Sequence, residues 1–202
     1  QLGASINAGS GYDSTTISAS SPANVFDQAF ALMADMVLNP AFSDEELERQ
    51  RSQTLDGLRL SMGQPGAVAS MTANRVNFGN SPYGAVATVN SVQSITSQDL
   101  RQFHSAHFRP DEAILTFSGD ITEAKARELA QQVFGQWSAG AATASMTSDV
   151  AGVAAAPRVV VVNLPGAGQA AVSISQRSVS RTDEAYFPLT LGNTLMGGSY
   201  SS

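Results

Sequence analysis

The sequence predicts an α+β protein in which a layer of helices covers a largely antiparallel sheet. Two short alternating stretches come first, four segments with apolar residues at helical spacing come next, and a further alternating stretch precedes another helical one. The order ββααααβα is typical of layered α+β domains. With 202 residues, of which 43% are hydrophobic and 14% charged, the chain can bury a core of its own.

The first two strands are predicted to form a β-hairpin. Polar and apolar residues alternate from Ala4 to Ala8 and again from Thr15 to Ser20. The residues between them, Gly9 to Ser14, are almost all turn formers, which favours a tight connection between antiparallel strands.

A first helix is predicted from Pro22 to Leu38, because apolar residues recur at helical spacing between these positions. Ser21 stands where a capping side chain is expected, with proline in the first turn. The dipeptide Asn39-Pro40 is expected to end the helix.

A second helix is predicted from Ser43 to about Ser61. Ser43 and Glu46 have the spacing of a capping box, in which the serine and glutamate side chains bind the free amides of the first turn. Residues Leu47, Arg51, Thr54, Leu55 and Leu58 continue the helical period.

The rest of the first domain is predicted as two helices, a strand and a final helix. We expect a third helix over about residues 67–76, a loop at 80–84, and a fourth helix capped by Thr96 that runs through His107. Glu112 to Ser118 alternates as a strand, and Thr122 caps a last helix that ends at Gly135.

A change in composition predicts two domains. Residues 138–156 are rich in Ala, Ser, Thr and Gly, which is typical of a linker. The predicted first domain is therefore 1–137, lacking its N-terminal part, and a second, truncated one begins at 157. It would contain strands at 158–163 and 169–175 and a helix at 184–196, and the chain is interpreted as a piece of a longer protein.

The composition also excludes several classes of function. The formal net charge is −6, and Lys125 is the only lysine, so there is no basic face for a nucleic acid. The absence of cysteine excludes disulfides and thiolate chemistry but leaves the compartment open. No apolar run approaches the roughly 20 residues of a membrane span.

The order of several short motifs resembles the pitrilysin/insulinase-type (inverted zincin) zinc metallopeptidases, and among them the mitochondrial processing peptidase branch. Each motif is a common turn or cap by itself, so the resemblance rests on their joint order and covers nearly the whole chain. The matching segments are Leu2 to Ala8, Asn39 to Phe42, Leu47 to Arg51, Ser81 to Gly84, Ser94 to Leu100, Phe108 to Asp111, Phe117 to Asp120, Arg158 to Val162 and Leu195 to Ser202.

The resemblance implies what a zinc site would need. Catalytic relatives use an H-x-x-E-H helix with two histidine ligands and a water-activating glutamate, and a later helix adds a glutamate ligand. The first helix would lie before Gln1 by the layout of the family. The later helix corresponds to the segment that begins with Glu48-Arg49-Gln50-Arg51 and extends to Gly57.

Both carboxylates of that later helix are missing here. The family has a glutamate where Gln50 stands and its liganding glutamate seven residues later, where this sequence has Gly57. Seven residues are two helical turns, so both positions share a face. Asp56 is the nearest substitute, but it is rotated by about 100°. The resemblance therefore implies an inactive-type domain that binds no metal, with zinc confined to catalytic relatives.

The two histidines, His104 and His107, have a spacing that can chelate a metal ion. No glutamate precedes His107, and the corresponding helix of the family carries no metal. We expect both rings to pack or cap beside Phe103 and Phe108 at the end of the fourth helix.

The resemblance also implies a binding site for a peptide substrate. In active relatives an edge strand with an Asn-Ala pair receives substrate as an added strand, and Ile6, Asn7 and Ala8 match it. The alternative is that Asn7 and Ala8 only shape the hairpin. Relatives close pseudo-repeated domains into a clamshell around a chamber, so a non-catalytic half is expected to hold peptide for a zinc-bearing partner, in the same protein or in a heterodimer.

Two other functions remain open. The parent protein could be an active zinc endopeptidase with displaced ligands, or a purely structural subunit like the core subunits of respiratory complexes. Whether the chain is an enzyme is therefore undecided, as are the substrate and the oligomeric state. The acidic, lysine-poor composition would suit the bacterial periplasm, but the compartment is not determined.

Overall fold

The structure of the chain, a computed structural model, describes residues 3–138 and 156–198. The described residues divide into two compact units, one formed by 3–61 and 87–138 and the other by 62–86 and 156–198. The elements are β1 Ser5–Ser10, β2 Thr15–Ser20, α1 Phe26–Leu38, α2 Asp44–Met62, α3 Pro65–Phe78, α4 Val89–Ser94, α5 Ser97–His107, α6 Glu123–Phe134 and α7 Tyr186–Asn193.

The predicted hairpin is confirmed. β1 and β2 pair antiparallel, with Ile6 opposite Ala19 and Ala8 opposite Ile17. At the turn, Gly11 donates its amide to the main-chain oxygen of Ser14 at 2.9 Å. The hairpin is the only sheet among the described residues, so the α+β class holds with a small antiparallel sheet and a larger helical part.

The core of the first unit lies between α1, α6 and the hairpin. Phe30 of α1 is only 2% exposed and packs with Met33 and Leu129. The Phe30 ring lies 5.3 Å from that of Phe117 and 5.9 Å from that of Phe134, measured between centroids. These contacts fix the helical layer on the inner face of β1 and β2.

The first helix differs from the prediction at its start. A 3₁₀ turn at Ala23–Val25 precedes α1, and no side chain caps either element. Ser21 instead donates its hydroxyl to the main-chain oxygen of Pro22 at 3.2 Å. The predicted serine cap is therefore wrong, because its hydroxyl is used within the preceding turn.

The predicted caps of the later helices are confirmed. The Glu46 amide donates to the hydroxyl of Ser43 at the start of α2. Thr96 and Asp99 form a capping box on α5, and the hydroxyl of Thr122 accepts the Lys125 amide on α6. The sequence reading missed α4, a six-residue helix with a capping box of Thr88 and Ser91.

The second unit contains α3, a 3₁₀ turn at Pro82–Gly84 and α7. α3 is longer than the predicted 67–76, since Pro65 occupies its first turn and Gly79 ends it with a positive φ of 56°. The amide of Asn77 donates to the hydroxyl of Ser175 at 2.9 Å. The predicted helix at 184–196 is confirmed only as α7, which continues into a π-helical turn at Thr194–Gly198.

Three predicted strands are not formed within the described part of the chain. Residues 112–118, 158–163 and 169–175 carry the alternating pattern but have no strand beside them to supply a hydrogen-bond ladder, and Glu112 belongs to a 3₁₀ turn at Pro110–Glu112. The pattern still orients side chains in the first of these, where Phe117 packs on the core and Ile114 is 94% exposed.

The linker predicted at 138–156 lies almost wholly outside the described residues, and the domain boundaries at 137 and 157 stay predictions. None of the described helices is both long enough and apolar enough to cross a bilayer.

Candidate functional site

The residues predicted to contact peptide lie in the middle of β1. Ile6 is half-buried and packs toward the core, whereas Asn7 points to the opposite face and is exposed beside Ser18. Ala8 shares the face of Ile6 but is exposed. The alternation of a β-strand therefore divides the three residues between two faces, and what they share is the main chain.

The main chain of β1 is paired along one side only. β2 occupies that side, and no described residue forms a strand on the other. An unpaired strand edge presents main-chain donors and acceptors to an added strand. This edge therefore has the geometry needed to bind an extended peptide.

The face of α2 that is predicted to match the zinc-ligand helix is exposed, and neither of its two predicted ligand positions carries a carboxylate. Gln50 and Gly57 are both exposed, and between them Thr54 donates its hydroxyl to the main-chain oxygen of Gln50 at 2.8 Å. Apart from its chain neighbours and the backbone of its own helix, no atom lies within 4 Å of the position that a Gly57 Cβ would occupy. The space for a larger side chain exists, but an amide and a glycine do not fit the donor set that zinc needs.

Asp56, the nearest carboxylate to the missing ligand, is paired with an arginine of the same helix. Its carboxylate accepts a hydrogen bond from Arg59 Nη1 at 2.7 Å, along the exposed side of α2. Among the described residues no group of three or more His, Cys, Asp or Glu side chains could hold a metal ion.

Arg51 fixes the position of α2, a role that the sequence reading missed. Its guanidinium donates to the main-chain oxygens of Val92, Gln93 at 2.9 Å and Ile95 at 2.7 Å, and it pairs with Glu48 at 3.1 Å. The side chain is 13% exposed. The sequence does contain a sign of this role, because Arg51 falls within the apolar stripe of α2, where a charged group needs buried hydrogen-bond partners.

The histidines pack as predicted. His104 makes a 2.7 Å hydrogen bond through Nε2 with the main-chain oxygen of Val37, and its ring stacks on Phe108 at 4.6 Å. His107 packs on Phe103, also at 4.6 Å. Both rings thus serve the packing of α5, and His104 also joins α5 to the end of α1.

The loop between α1 and α2 is held by α5 as well. Phe42 has a positive φ of 42°, which a residue with a side chain rarely adopts. Arg101 donates to the main-chain oxygen of Phe42 at 3.1 Å, and the Phe42 ring lies 5.8 Å from that of His104. With Arg51, these contacts attach the N-terminal half of α2 to α4 and α5.

A cavity of about 560 Å³ lies in the first unit, between the end of β2 and the first turns of α1 and α6. Lys125 Nζ pairs with Asp27 at 2.9 Å on its wall, and this hydrogen bond raises the pKa of Lys125 above its usual value. From the sequence, Lys125 was noted only as the single lysine, and no role was predicted for Asp27. A lysine in that first turn was visible, but its partner on α1 could be located only from the fold.

Comparison with known proteins identifies the family. The model for the peptidase M16 inactive domain matches residues 94–202, and the model for insulinase (peptidase family M16) matches residues 1–75. The first match covers more than half of the chain. The chain belongs to peptidase family M16, which confirms the resemblance to pitrilysin- and insulinase-type proteins.

Individual relatives agree with this assignment. The chain is 23% identical over 186 residues to an uncharacterized zinc protease of Streptomyces coelicolor, covering 86% of this chain and 39% of that protein. It is also 23% identical over 198 residues to the mitochondrial-processing peptidase subunit beta of Caenorhabditis elegans, covering 97% and 42%. The chain thus spans about two fifths of the length of these relatives.

Two solved structures are similar in fold to this chain. A crystal structure of a peptidase M16 inactive domain from Pseudomonas fluorescens matches with a TM-score of 0.66 and 28% identity, covering 71% of this chain and 36% of that one. A protease from Helicobacter pylori matches with a TM-score of 0.62 at 19% identity, covering 71% and 35%, and supports the fold alone.

Proposed function

We propose that this chain is part of a non-catalytic half of an M16 zinc endopeptidase, which holds peptide for a zinc-bearing half or subunit. The observation that carries the proposal is the α2 face, where Gln50 and Gly57 stand in place of two carboxylates. This face lies in the segment that matches the insulinase (peptidase family M16) model, and the match to the M16 inactive domain follows it at residues 94–202. Without an anionic ligand on this face, the helix does not complete a zinc site with three protein ligands.

The peptide-holding part of the proposal rests on the open edge of β1. An extended peptide that adds beside Ile6, Asn7 and Ala8 would bind mainly through main-chain hydrogen bonds. In the complete protein, pseudo-repeated domains would form one wall of a clamshell chamber, and this edge would line it. The partner would be a catalytic family member or another part of the same protein.

The test is to express the full-length protein that contains this chain, alone and together with a zinc-bearing M16 protein from the same organism. Zinc content and cleavage of an unstructured peptide are measured for each protein and for the pair. We expect no zinc and no cleavage from this protein alone, and faster cleavage by the pair than by the partner alone.

Zinc and cleavage from this protein alone would overturn the proposal in favour of an active enzyme with displaced ligands. A pair that assembles without any change in cleavage would favour the purely structural role. A peptide N-methylated at two consecutive central residues serves as control, because it loses one main-chain donor on each edge and the methyl groups obstruct strand pairing, so it should bind poorly.

A further inference from the structure

The exposed face of the hairpin is polar but carries no charge. Three cross-strand pairs form it, and all of their residues are exposed. The pairs are Ser5 with Ser20, Asn7 with Ser18, and Gly9 with Thr16. Hydroxyl and amide groups both donate and accept hydrogen bonds, so this face has no preference for either sign of charge.

Charged side chains are absent from the surrounding segment as well. Between Gly3 and Phe26 the only ionisable side chain apart from Tyr12 is Asp13, which lies in the loop beyond the last strand pair. Six residues of strand extend about 20 Å, roughly twice the Debye length of about 10 Å at 0.1 M salt. A peptide beside Ser5 would thus experience little electrostatic field from Asp13. At that end of the hairpin the Asp27–Lys125 pair lies near Ser20, and its two opposite charges offset each other.

The other face of β1 is apolar. Ile6 is half-buried against the core, and Ala8 is exposed beside it on the same face. A peptide strand added to the edge alternates its side chains in the same way. Every second peptide residue would therefore lie next to Ile6 or Ala8, and the residues between them next to Ser5, Asn7 or Gly9.

From this alternation we infer the class of peptide that the β1 edge selects: an extended segment in which apolar residues alternate with polar ones, whatever the sign of their charge. The inference rests on the proposed function, because it concerns the same edge. A shift by one residue would place apolar side chains against the hydroxyl face, so the pattern sets the register. Selection by charge, if the complete enzyme has any, comes from its other surfaces.

The test uses the full-length protein and labelled eight-residue peptides at nanomolar concentration, followed by fluorescence anisotropy. One peptide alternates valine and threonine, a second has the same composition in two blocks, and two more replace threonine by lysine or glutamate. We expect the alternating peptide to bind about fivefold more tightly than the block peptide, since cross-strand side-chain pairs contribute roughly 0.2–1 kcal/mol each.

For the unmodified protein, the charge of the peptide should have little effect on its affinity. The lysine and glutamate peptides should bind within about threefold of each other, with little change between about 50 and 500 mM NaCl, where screened interactions would weaken strongly. The Asn7→Asp variant should favour the lysine peptide and Asn7→Lys the glutamate peptide. Gln102→Lys, an exposed change on α5, is the matched control and should leave all four affinities unchanged.

The outcomes separate the two proposals. If no peptide binds, the peptide-holding function itself fails. If peptides bind but the block peptide equals the alternating one, or the lysine peptide is preferred and salt abolishes its binding, then the function stands and this inference is overturned. Self-association that peptide cannot displace would show that a second copy occupies the edge, and it would also overturn the inference.

Discussion

Arg51 donates a hydrogen bond from Nη2 to the main-chain oxygen of Ile95 at 2.7 Å, which joins the middle of α2 to the turn between α4 and α5. The two residues are 44 positions apart in the sequence. Together with the contacts of Phe42 with Arg101 and His104, this guanidinium group holds α2 against α4 and α5.

Replacing Arg51 by glutamine should destabilise the first unit by about 2–3 kcal/mol. The reason is that the main-chain oxygens of Val92, Gln93 and Ile95 lose charge-assisted donors. Urea unfolding followed through the fluorescence of Trp137, which packs on Phe134 in the same unit, measures the change. The control is Arg49→Gln, whose exposed pair with Glu46 should contribute no more than about 0.5 kcal/mol. Equal effects of the two variants would contradict the role assigned to Arg51.

Gly57→Ala should stabilise the protein by about 0.5–1 kcal/mol. Gly57 lies inside α2, and an added Cβ would meet no atom beyond its chain neighbours and the backbone of its own helix. Alanine also restricts the unfolded chain. Gly84→Ala is the opposite case, since its Cβ would overlap the main-chain oxygen of Gly79. Thermal unfolding of both variants should shift in opposite directions, and a loss of stability in Gly57→Ala would show that the glycine is needed in α2.

Zinc should not stabilise this chain. Because Gln50 and Gly57 offer no anionic ligand, stoichiometric Zn²⁺ is expected to change Tm by less than about 1 °C relative to EDTA, whereas a tight site would raise it by mass action. Differential scanning calorimetry measures the shift. A saturable increase of several degrees that disappears in Asp56→Asn would identify Asp56 as a substituted ligand.

The capping box of α5 should give stability that depends on acid pH. Hydrogen bonds from the hydroxyl and amide of Thr96 lower the pKa of Asp99 below its usual value. The contribution is therefore fully present above the unfolded pKa of about 3.9 and is lost as the pH falls through the lower folded value. The slope of the unfolding free energy between about pH 5 and pH 2 should be smaller in Asp99→Asn.

A slope unchanged in Asp99→Asn would assign the acid sensitivity to other carboxylates. Asp111 is the one to examine next, since its hydrogen bonds with the buried Arg109 also lower its pKa.

Local signals in the sequence predicted most of the first unit. The hairpin, the Thr96 and Thr122 caps and the ends of α2 can be derived from turn residues, caps and periodicity, all of which act within a few positions. α4 was missed because six residues are too few to establish a helical period. A strand at 112–118 was expected from alternation alone, yet a ladder also needs a neighbouring strand, which no local pattern supplies.

The candidate site was predictable in part. Positions Gln50 and Gly57 are found by a count along one helix, and the structure places both on an exposed face. The long-range contacts of Arg51, and the pairing of Lys125 with Asp27, depend on how helices meet and cannot be derived from spacing within one segment.

Because Lys125 is the only lysine and pairs with Asp27, the opening of α6 can be measured at this one residue. A protease specific for lysine can cut this chain only after Lys125, which lies in the first turns of α6 and is hydrogen-bonded to Asp27. Cleavage there requires α6 to open, so the rate of one cut under native conditions measures how often the first unit exposes that helix. The raised pKa of Lys125 also keeps its amine protonated, and amine-directed labels will therefore react with it slowly at neutral pH.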